Sequence, residues 1–189
     1  MPSLDDDFQQ LAGRLTEPAA LNAARSDPFY YFVYAPEQAL AVRRRLPVWS
    51  AKLRNAGLDV ERVSFSDLLW EVVDASGRWD AWLQVEAEAD PEQVNEAIRD
   101  VLRSRDALVR KVASIVERER PGTVVFLTET EMLHPYFRVR VLESTLHDRI
   151  RVPTVVFYPG RRSGQFGLHF LGFYAEDGNY RATLIGGLP

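Results

Sequence analysis

The sequence predicts a three-layer α/β protein, in which helices flank both faces of a mixed, mainly parallel β-sheet. Three continuous apolar runs, at residues 28–36, 121–132 and 151–160, have the aromatic and β-branched composition of strands buried on both faces. Segments with helical spacing of apolar residues lie between these runs. The chain has 189 residues, which is the length of one domain with a sizeable core, so we expect residues 1–189 to form a single domain.

The N-terminal segment, residues 1–26, predicts a helix. Phe8, Leu11 and Leu15 recur at helical spacing after an acidic run that favours the positive end of the helix dipole. We expect this helix to end before Pro18.

A strand–helix–strand unit follows the N-terminal helix. Residues 28–36 predict a strand, and residues 37–56 carry apolar residues among Arg and Lys at helical spacing. The alternation in residues 58–65 predicts a second strand. Ser66 or Asp67 can then cap a short helix.

Residues 92–119 predict a long helical segment that begins after Asp90-Pro91. One unbroken helix would be about 45 Å long at 1.5 Å per residue, which exceeds a domain of this size. Two helices that separate near residues 103–106 are therefore the favoured interpretation. A protruding arm that meets a partner helix is the alternative.

The same segment carries two neighbouring apolar rows. The rows are Val94, Ile98, Val101 and Leu108, and Leu102, Val109 and Val116. A helix on a small sheet usually buries one apolar stripe, so one row is expected to be left over. We expect Leu102 and Val109 of this row to contact a partner by helix-in-groove recognition.

The last third of the chain predicts one more helix and the end of the sheet. Residues 135–149 predict a helix with Pro135 at its start, and residues 151–160 predict a buried strand. Residues 166–174 and 179–187 predict antiparallel strands that form a C-terminal β-hairpin.

Composition indicates a cytoplasmic protein that binds neither nucleic acid nor membrane directly. The net charge of −4 opposes capture by anionic surfaces, and no apolar run approaches the roughly 20 residues of a membrane helix. The chain has no Cys, which excludes disulfides and thiolate ligands. The four Trp are spread along the sequence and predict no base-stacking platform.

The phosphate-binding motifs of nucleotide enzymes are absent from the sequence. The first strand ends in "YAPE", where a phosphate loop would need glycines. The order of strands and helices therefore predicts a nucleotide-binding type of core without a phosphate loop. The segment "GRRSGQFG", with Arg161 and Arg162, could hold a phosphate, but a turn between strands is the favoured interpretation.

Two carboxylates and an imidazole follow the strand at 121–132. Glu129, Glu131 and His134 could ligate a divalent metal, which would indicate a ligand-binding protein or a metal-dependent enzyme. Solvated charges at a strand end are the favoured interpretation, because the standard metal spacings are absent. We therefore expect no catalytic residues, no metal and no cofactor.

Three stretches of the chain carry a resemblance to a known family. "PFYYFVYAPEQALAVRRRLPVWSAKLRNAGLDVERVSFSDLLWEVV", "HPYFRVRVLESTL" and "VPTVVFYPGRRSGQFGLHFLGFYAEDGNYRA" together resemble BrxB, the small core component of BREX bacteriophage-defence systems. The residues that match the family motifs are Tyr34, Pro36, Glu37, Arg138, Tyr158, Pro159, Gly160, Gln165, Asn179 and Arg181.

The resemblance implies a protein that acts with larger partners, and it implies no known activity. It indicates a PglZ-like protein as the principal partner, with a methyltransferase and an ATPase in the same system. A non-catalytic adaptor is therefore the first hypothesis for function. Besides Leu102 and Val109, we expect Arg161, Arg162 and Tyr180 to contact the partner.

The missing phosphate loop generates a prediction about ATP. Purified protein is expected neither to bind nor to hydrolyse ATP, because no glycine-rich loop follows the first strand. Saturable, magnesium-dependent ATP binding in a calorimetric titration would contradict this expectation.

Overall fold

The computed structural model of the chain describes residues 3–17, 28–146, 149–164, 167–178 and 182–187. These residues form seven α-helices and six β-strands. In chain order the elements are α1 (Leu4–Thr16), β1 (Phe29–Tyr34), α2 (Ala39–Asn55), β2 (Asp59–Ser64), α3 (Phe65–Ala75), α4 (Trp79–Val85), α5 (Pro91–Arg103), α6 (Ala107–Val116), β3 (Thr123–Thr128), α7 (Val139–Leu146), β4 (Thr154–Ser163), β5 (Gly167–Phe170) and β6 (Thr183–Gly186). None of the helices described is both long and apolar enough to span a membrane.

Five strands form a parallel sheet in the order β2-β3-β4-β1-β6. β1 pairs with β4 on one side and with β6 on the other, and β3 pairs with β2 and β4. β4 continues past this sheet, and its residues 160–163 pair antiparallel with β5. The predicted α/β class with a mixed, mainly parallel sheet is confirmed.

Alternate side chains of β1 enter two hydrophobic cores. Phe29, Tyr31 and Val33 pack with residues of α3, α5, α6 and α7. Tyr30, Phe32 and Tyr34 pack with residues of α1 and α2 on the opposite face. A strand that is apolar at every position must be covered on both faces, because successive side chains point in opposite directions. The sheet is therefore the middle of three layers, as the sequence predicts.

Helix α1 is the predicted N-terminal helix, and aromatic stacking attaches it to the sheet. The ring of Phe8 stacks on Trp49 of α2, with 4.6 Å between the ring centroids. The indole Nε1 of Trp49 donates a hydrogen bond of 2.8 Å to Oδ1 of Asp5. Ser3 and Asp6 form a capping box at the start of the helix.

The predicted C-terminal hairpin is wrong in its pairing. The hairpin in the structure joins β4 to β5, and β6 pairs parallel with β1 instead of antiparallel with β5. β5 and β6 have four residues each, so their alternation indicates a strand without specifying its neighbour. β4 pairs with one edge of β1, and the backbone groups at the other edge need hydrogen-bond partners, which β6 supplies.

Residues 91–116 form two helices, which is the interpretation that the sequence favoured. α5 ends at Arg103 and α6 begins at Ala107. Between them, Arg105 and Asp106 have φ angles of 51° and 55°, in the left-handed region that a continuing helix cannot contain. The segment folds back on itself and does not protrude.

The expectation that Leu102 and Val109 contact a partner is corrected by their burial. The side chains are 0% and 3% exposed. α5 and α6 pack against each other and against α3, and α6 also packs against α7. Neighbouring helices therefore cover the second apolar row, and both residues belong to the same core as β1.

Helix α7 is shorter than the predicted helix at 135–149. It begins at Val139, because the backbone N–H groups of Tyr136 and Phe137 donate to the carbonyl of Leu133 and form a turn first. Pro135 lies in this turn. Residues 147 and 148 lie outside the described residues.

The burial of Leu102 predicts the effect of shortening its side chain. Leu102→Ala is expected to lower the free energy of unfolding by about 2–5 kcal/mol, because it removes buried methyl groups and leaves a cavity. The control is Leu40→Ala, at a leucine that is 66% exposed on α2 and should change stability by less than about 0.5 kcal/mol. Urea denaturation of both variants measures the difference, and equal stabilities would contradict the placement of Leu102 in the core.

Candidate functional site

The carboxyl edge of the parallel strands, where α/β proteins commonly bind ligands, is occupied by the chain itself. β1 passes directly into the 3₁₀ turn Pro36–Gln38. Nη2 of Arg161 lies 3.6 Å from Oε1 of Glu37, and Gly172 lies beside Pro36. Pro36 has no backbone N–H, so this position of the strand end offers no donor to a phosphate.

The Tyr-Pro-Gly motif on β4 has a structural role. Tyr158 is buried in the core beneath β5. A Cβ atom on Gly160 would lie 2.6 Å from the ring of Tyr158 and would also collide with the carbonyl oxygen of His169. The close approach of β4 to β5 therefore requires glycine at this position.

The predicted partner-contacting arginines differ in exposure. Arg161 is exposed, whereas Arg162 is partly buried and its Nη1 lies 3.5 Å from the carbonyl oxygen of Gly186. Arg161 is therefore the more accessible of the two. Gln165, Asn179, Tyr180 and Arg181 lie outside the described residues.

Arg138 and His134 attach the segment after β3 to the turn after β5. The guanidinium of Arg138 lies 4.4 Å from the ring centroid of Tyr174, in cation–π geometry. The hydroxyl of Tyr174 and Nδ1 of His134 share a hydrogen bond. The family-motif residue Arg138 thus orders this surface.

The three residues of the predicted metal alternative do not converge. Glu129 accepts a hydrogen bond from Oγ of Ser64 and lies 3.4 Å from Nη1 of Arg43. His134 is engaged by Tyr174. In the part of the chain that the structure describes, no three acidic or histidine side chains are placed to hold a metal ion. The metal-dependent alternative is not supported by this arrangement.

A groove of about 760 Å³ opens between α3, α4, α5 and residues 131–136. Most of its lining side chains are apolar or aromatic. The lining residues are Leu69, Trp70, Val73, Trp79, Trp82, Leu83, Val85, Glu86, Glu88, Ala89, Gln93, Val94, Ala97, Ile98, Glu131, Met132, His134 and Tyr136. A cavity of this size and lining has the properties of a binding site.

Three tryptophans form one wall of the groove. Trp70 stacks on Trp79 with 5.8 Å between ring centroids, and Trp82 meets Trp79 edge-on at 5.7 Å. The Nε1 of Trp79 donates a hydrogen bond of 2.7 Å to Oδ1 of Asp74, which attaches α4 to α3. The four tryptophans are spread along the sequence, and folding brings three of them together.

Most of the exposed large hydrophobic side chains of the described residues lie at this groove. Ten large hydrophobic side chains are exposed in these residues, and six of them line it. The six are Trp70, Trp79, Leu83, Val85, Val94 and Met132. Contiguous apolar patches of this kind mark interaction surfaces. Sequence reasoning missed this patch, although two tryptophans in the acidic stretch 79–90 were a signal for it.

Glu131 is the polar group buried in the groove. Its Oε2 atom is buried and has no hydrogen-bond partner among the described residues. Burial raises the pKa of the Glu131 carboxyl, and the charge of Glu129 adds to the rise, whereas a hydrogen bond from the backbone N–H of Glu131 itself and the charge of Arg43 oppose it. Burial also raises the pKa of the Tyr34 phenol, and the charges of Glu131 and Glu129 add to that shift.

These features define an α/β protein with a mainly parallel sheet and an apolar groove on one side of it. The family model described as BREX protein BrxB matches residues 61–185, a range that includes the whole groove. The chain belongs to the BrxB family, as the resemblance indicated, and is therefore a component of a BREX defence system. The motif at Tyr34, Pro36 and Glu37 precedes the matched range. No curated protein and no solved structure matches the chain.

The raised pKa of Glu131 predicts a pH-dependent effect of Glu131→Gln. Between the unfolded pKa, about 4.3 for Glu, and the higher folded pKa, the folded state holds more protons than the unfolded state. The free energy of unfolding of the wild type therefore falls as pH rises through this window. The uncharged Glu131→Gln variant is expected to lack this fall and to be the more stable protein at neutral pH.

Urea denaturation at about pH 4 and at neutral pH measures this effect, since the unfolded pKa lies near the lower value. Glu17→Gln is the matched control, because the Glu17 side chain is 53% exposed in a surface pair with Arg14. A stability gain from Glu131→Gln that is equal at both pH values, or absent at neutral pH, would contradict the prediction.

Proposed function

We propose that this chain is a non-catalytic cytoplasmic adaptor of its BREX system, and that it binds a PglZ-like protein through the apolar groove. Membership of the BrxB family supports a role beside other BREX components. The observation that carries the proposal is the gathering of exposed hydrophobic side chains at one groove, on three helices and one turn. The methyltransferase and the ATPase of the system are further candidate partners.

The energetics of the groove favour a macromolecular contact. Leu83 is 62% exposed and Val85 is 54% exposed, so both remain largely in water in the free chain. Removing apolar surface from water contributes about 25 cal/mol per Å². Tryptophan is enriched among the residues that dominate binding energy at interfaces, and this groove presents three.

The hydrogen bonds and the ion pair of Glu129 and His134 support a binding role over catalysis. Glu129 is engaged by Ser64 and Arg43, and His134 by Tyr174. Among the described residues, a metal-dependent enzyme that uses Glu129, Glu131 and His134 has no observation in its favour.

Substitutions at the groove rim test the proposal. Leu83→Asp and Val94→Asp are each expected to weaken binding of the PglZ-like protein by about 2 kcal/mol or more, which is about 30-fold in Kd, because a charge replaces an apolar anchor. Arg161→Ala is expected to have a smaller effect, because exposed charges at an interface rim contribute little. Co-purification and a calorimetric titration with the purified partner measure the change.

Two exposed residues of α2, on the opposite face of the sheet, provide matched controls. Leu40 is 66% exposed and Val48 is 57% exposed, so Leu40→Asp and Val48→Asp make the same chemical change away from the groove. Both controls should bind as the wild type does, and thermal melts should show that all four variants fold. Failure of the wild type to bind the partner would overturn the adaptor function, and equal binding by the groove variants and their controls would overturn the groove.

A further inference from the structure

One oxygen of Glu131 is a hydrogen-bond acceptor that the described residues leave unused inside an apolar groove. Oε2 is buried and unpartnered there. The carboxylate accepts a hydrogen bond from the backbone N–H of Glu131 itself, but Oε2 has no donor, and folded proteins satisfy nearly all buried polar groups. Because Glu131 lines the groove, a cationic group of a bound molecule would compensate the charge of this carboxylate.

Two described arginines, Arg43 and Arg99, are engaged elsewhere. The charge of Arg43 lowers the pKa of Glu131, but Nη1 of Arg43 lies 3.4 Å from Oε1 of Glu129. Nη1 of Arg99 on α5 lies 2.6 Å from Glu92 and 2.5 Å from Glu96. Neither guanidinium satisfies Oε2 of Glu131.

The remaining ionisable side chains of the groove make it acidic. Glu86 and Glu88 are exposed at its rim, just after the tryptophan wall. Among the described residues that line the groove, none is Lys or Arg. The groove therefore favours a cationic occupant and repels a polyanion such as nucleic acid.

The walls of the groove suit an elongated apolar occupant. α3 and α4 contribute the tryptophans on one side, and the first half of α5 contributes Val94 and Ile98 on the other. A groove between helices with apolar walls takes the apolar face of an amphipathic helix, which inserts side chains from successive turns.

We infer that the groove binds an amphipathic helix of the partner, with its apolar row against Trp70, Trp79 and Trp82 and with a Lys or Arg that donates a hydrogen bond to Glu131. This inference rests on the proposed adaptor function and specifies the chemistry of the bound segment. The salt bridge selects basic helices, and the tryptophan wall supplies the apolar contact.

The first test measures the contribution of the carboxylate to partner binding. Glu131→Gln keeps the size of the side chain and removes its charge, and it is expected to weaken binding of the PglZ-like protein about tenfold, which corresponds to about 1.4 kcal/mol. The control Glu17→Gln makes the same change of net charge just after α1 and should bind as the wild type does. Loss of binding in Leu83→Asp with unchanged binding in Glu131→Gln would overturn this inference and leave the adaptor function standing.

The second test uses synthetic peptides that share one apolar row of Leu and differ in their flanking residues. Each has about 18 residues, or about five helical turns. One carries Lys beside the row, and the other carries Glu. Three of the four tryptophans line the groove, and the fourth, Trp49, is buried in the opposite core, so a change in tryptophan emission reports on the groove.

The Lys peptide is expected to change the emission in a saturable manner, with an affinity at least about tenfold higher than that of the Glu peptide. Glu131→Gln should remove most of this preference, and Glu17→Gln should preserve it. Equal binding of the two peptides, or binding of neither, would overturn the inference. Saturable binding of octylamine without binding of the Lys peptide would also overturn it and assign the cavity to a small cationic amphiphile.

Discussion

Strand β1 has no polar face, and covering it on both sides determines where the rest of the chain lies. Phe29, Tyr31 and Val33 require helices on one face, and Tyr30, Phe32 and Tyr34 require helices on the other. The backbone of the strand needs partners at both of its edges as well, which β4 and β6 supply. A chain whose helices covered only one face of β1 would leave three apolar side chains of the strand in water.

The sequence predicted this framework because burial on both faces leaves a strong local signal. Runs such as Phe29–Tyr34 indicate central strands without knowledge of their neighbours. The pairing of β6 with β1 left no such signal, because a four-residue strand has too few alternations to specify its direction or its partner. Its placement depends on the open edge of β1, which is a property of the assembled sheet.

The candidate site was harder to predict, because its residues come together only in the folded chain. Glu131 and His134 were identified from their position after a strand and were interpreted as solvated charges, with a metal site as the alternative. One oxygen of Glu131 is in fact buried, and the geometry of the described residues does not support the metal site. The groove is lined by residues of three separate helices, among them Trp70, Trp82 and Val94. These residues come together only when α3, α4 and α5 pack. The two apolar rows at 94–116 were recognised in the sequence. The pattern of one helix could not show that α3 and α7 cover the second row.

Helix α5 lines the groove with its first turns and enters the core with its last turn. In α5, Val94 is exposed at the groove, whereas Val101 and Leu102 are buried in the core. The left-handed residues Arg105 and Asp106 end this helix and give α6 a direction of its own. Substitution of Val94 therefore disturbs the core less than substitution of Val101 or Leu102. Such an arrangement leaves one end of α5 open to change, while the residues at its other end retain the fold.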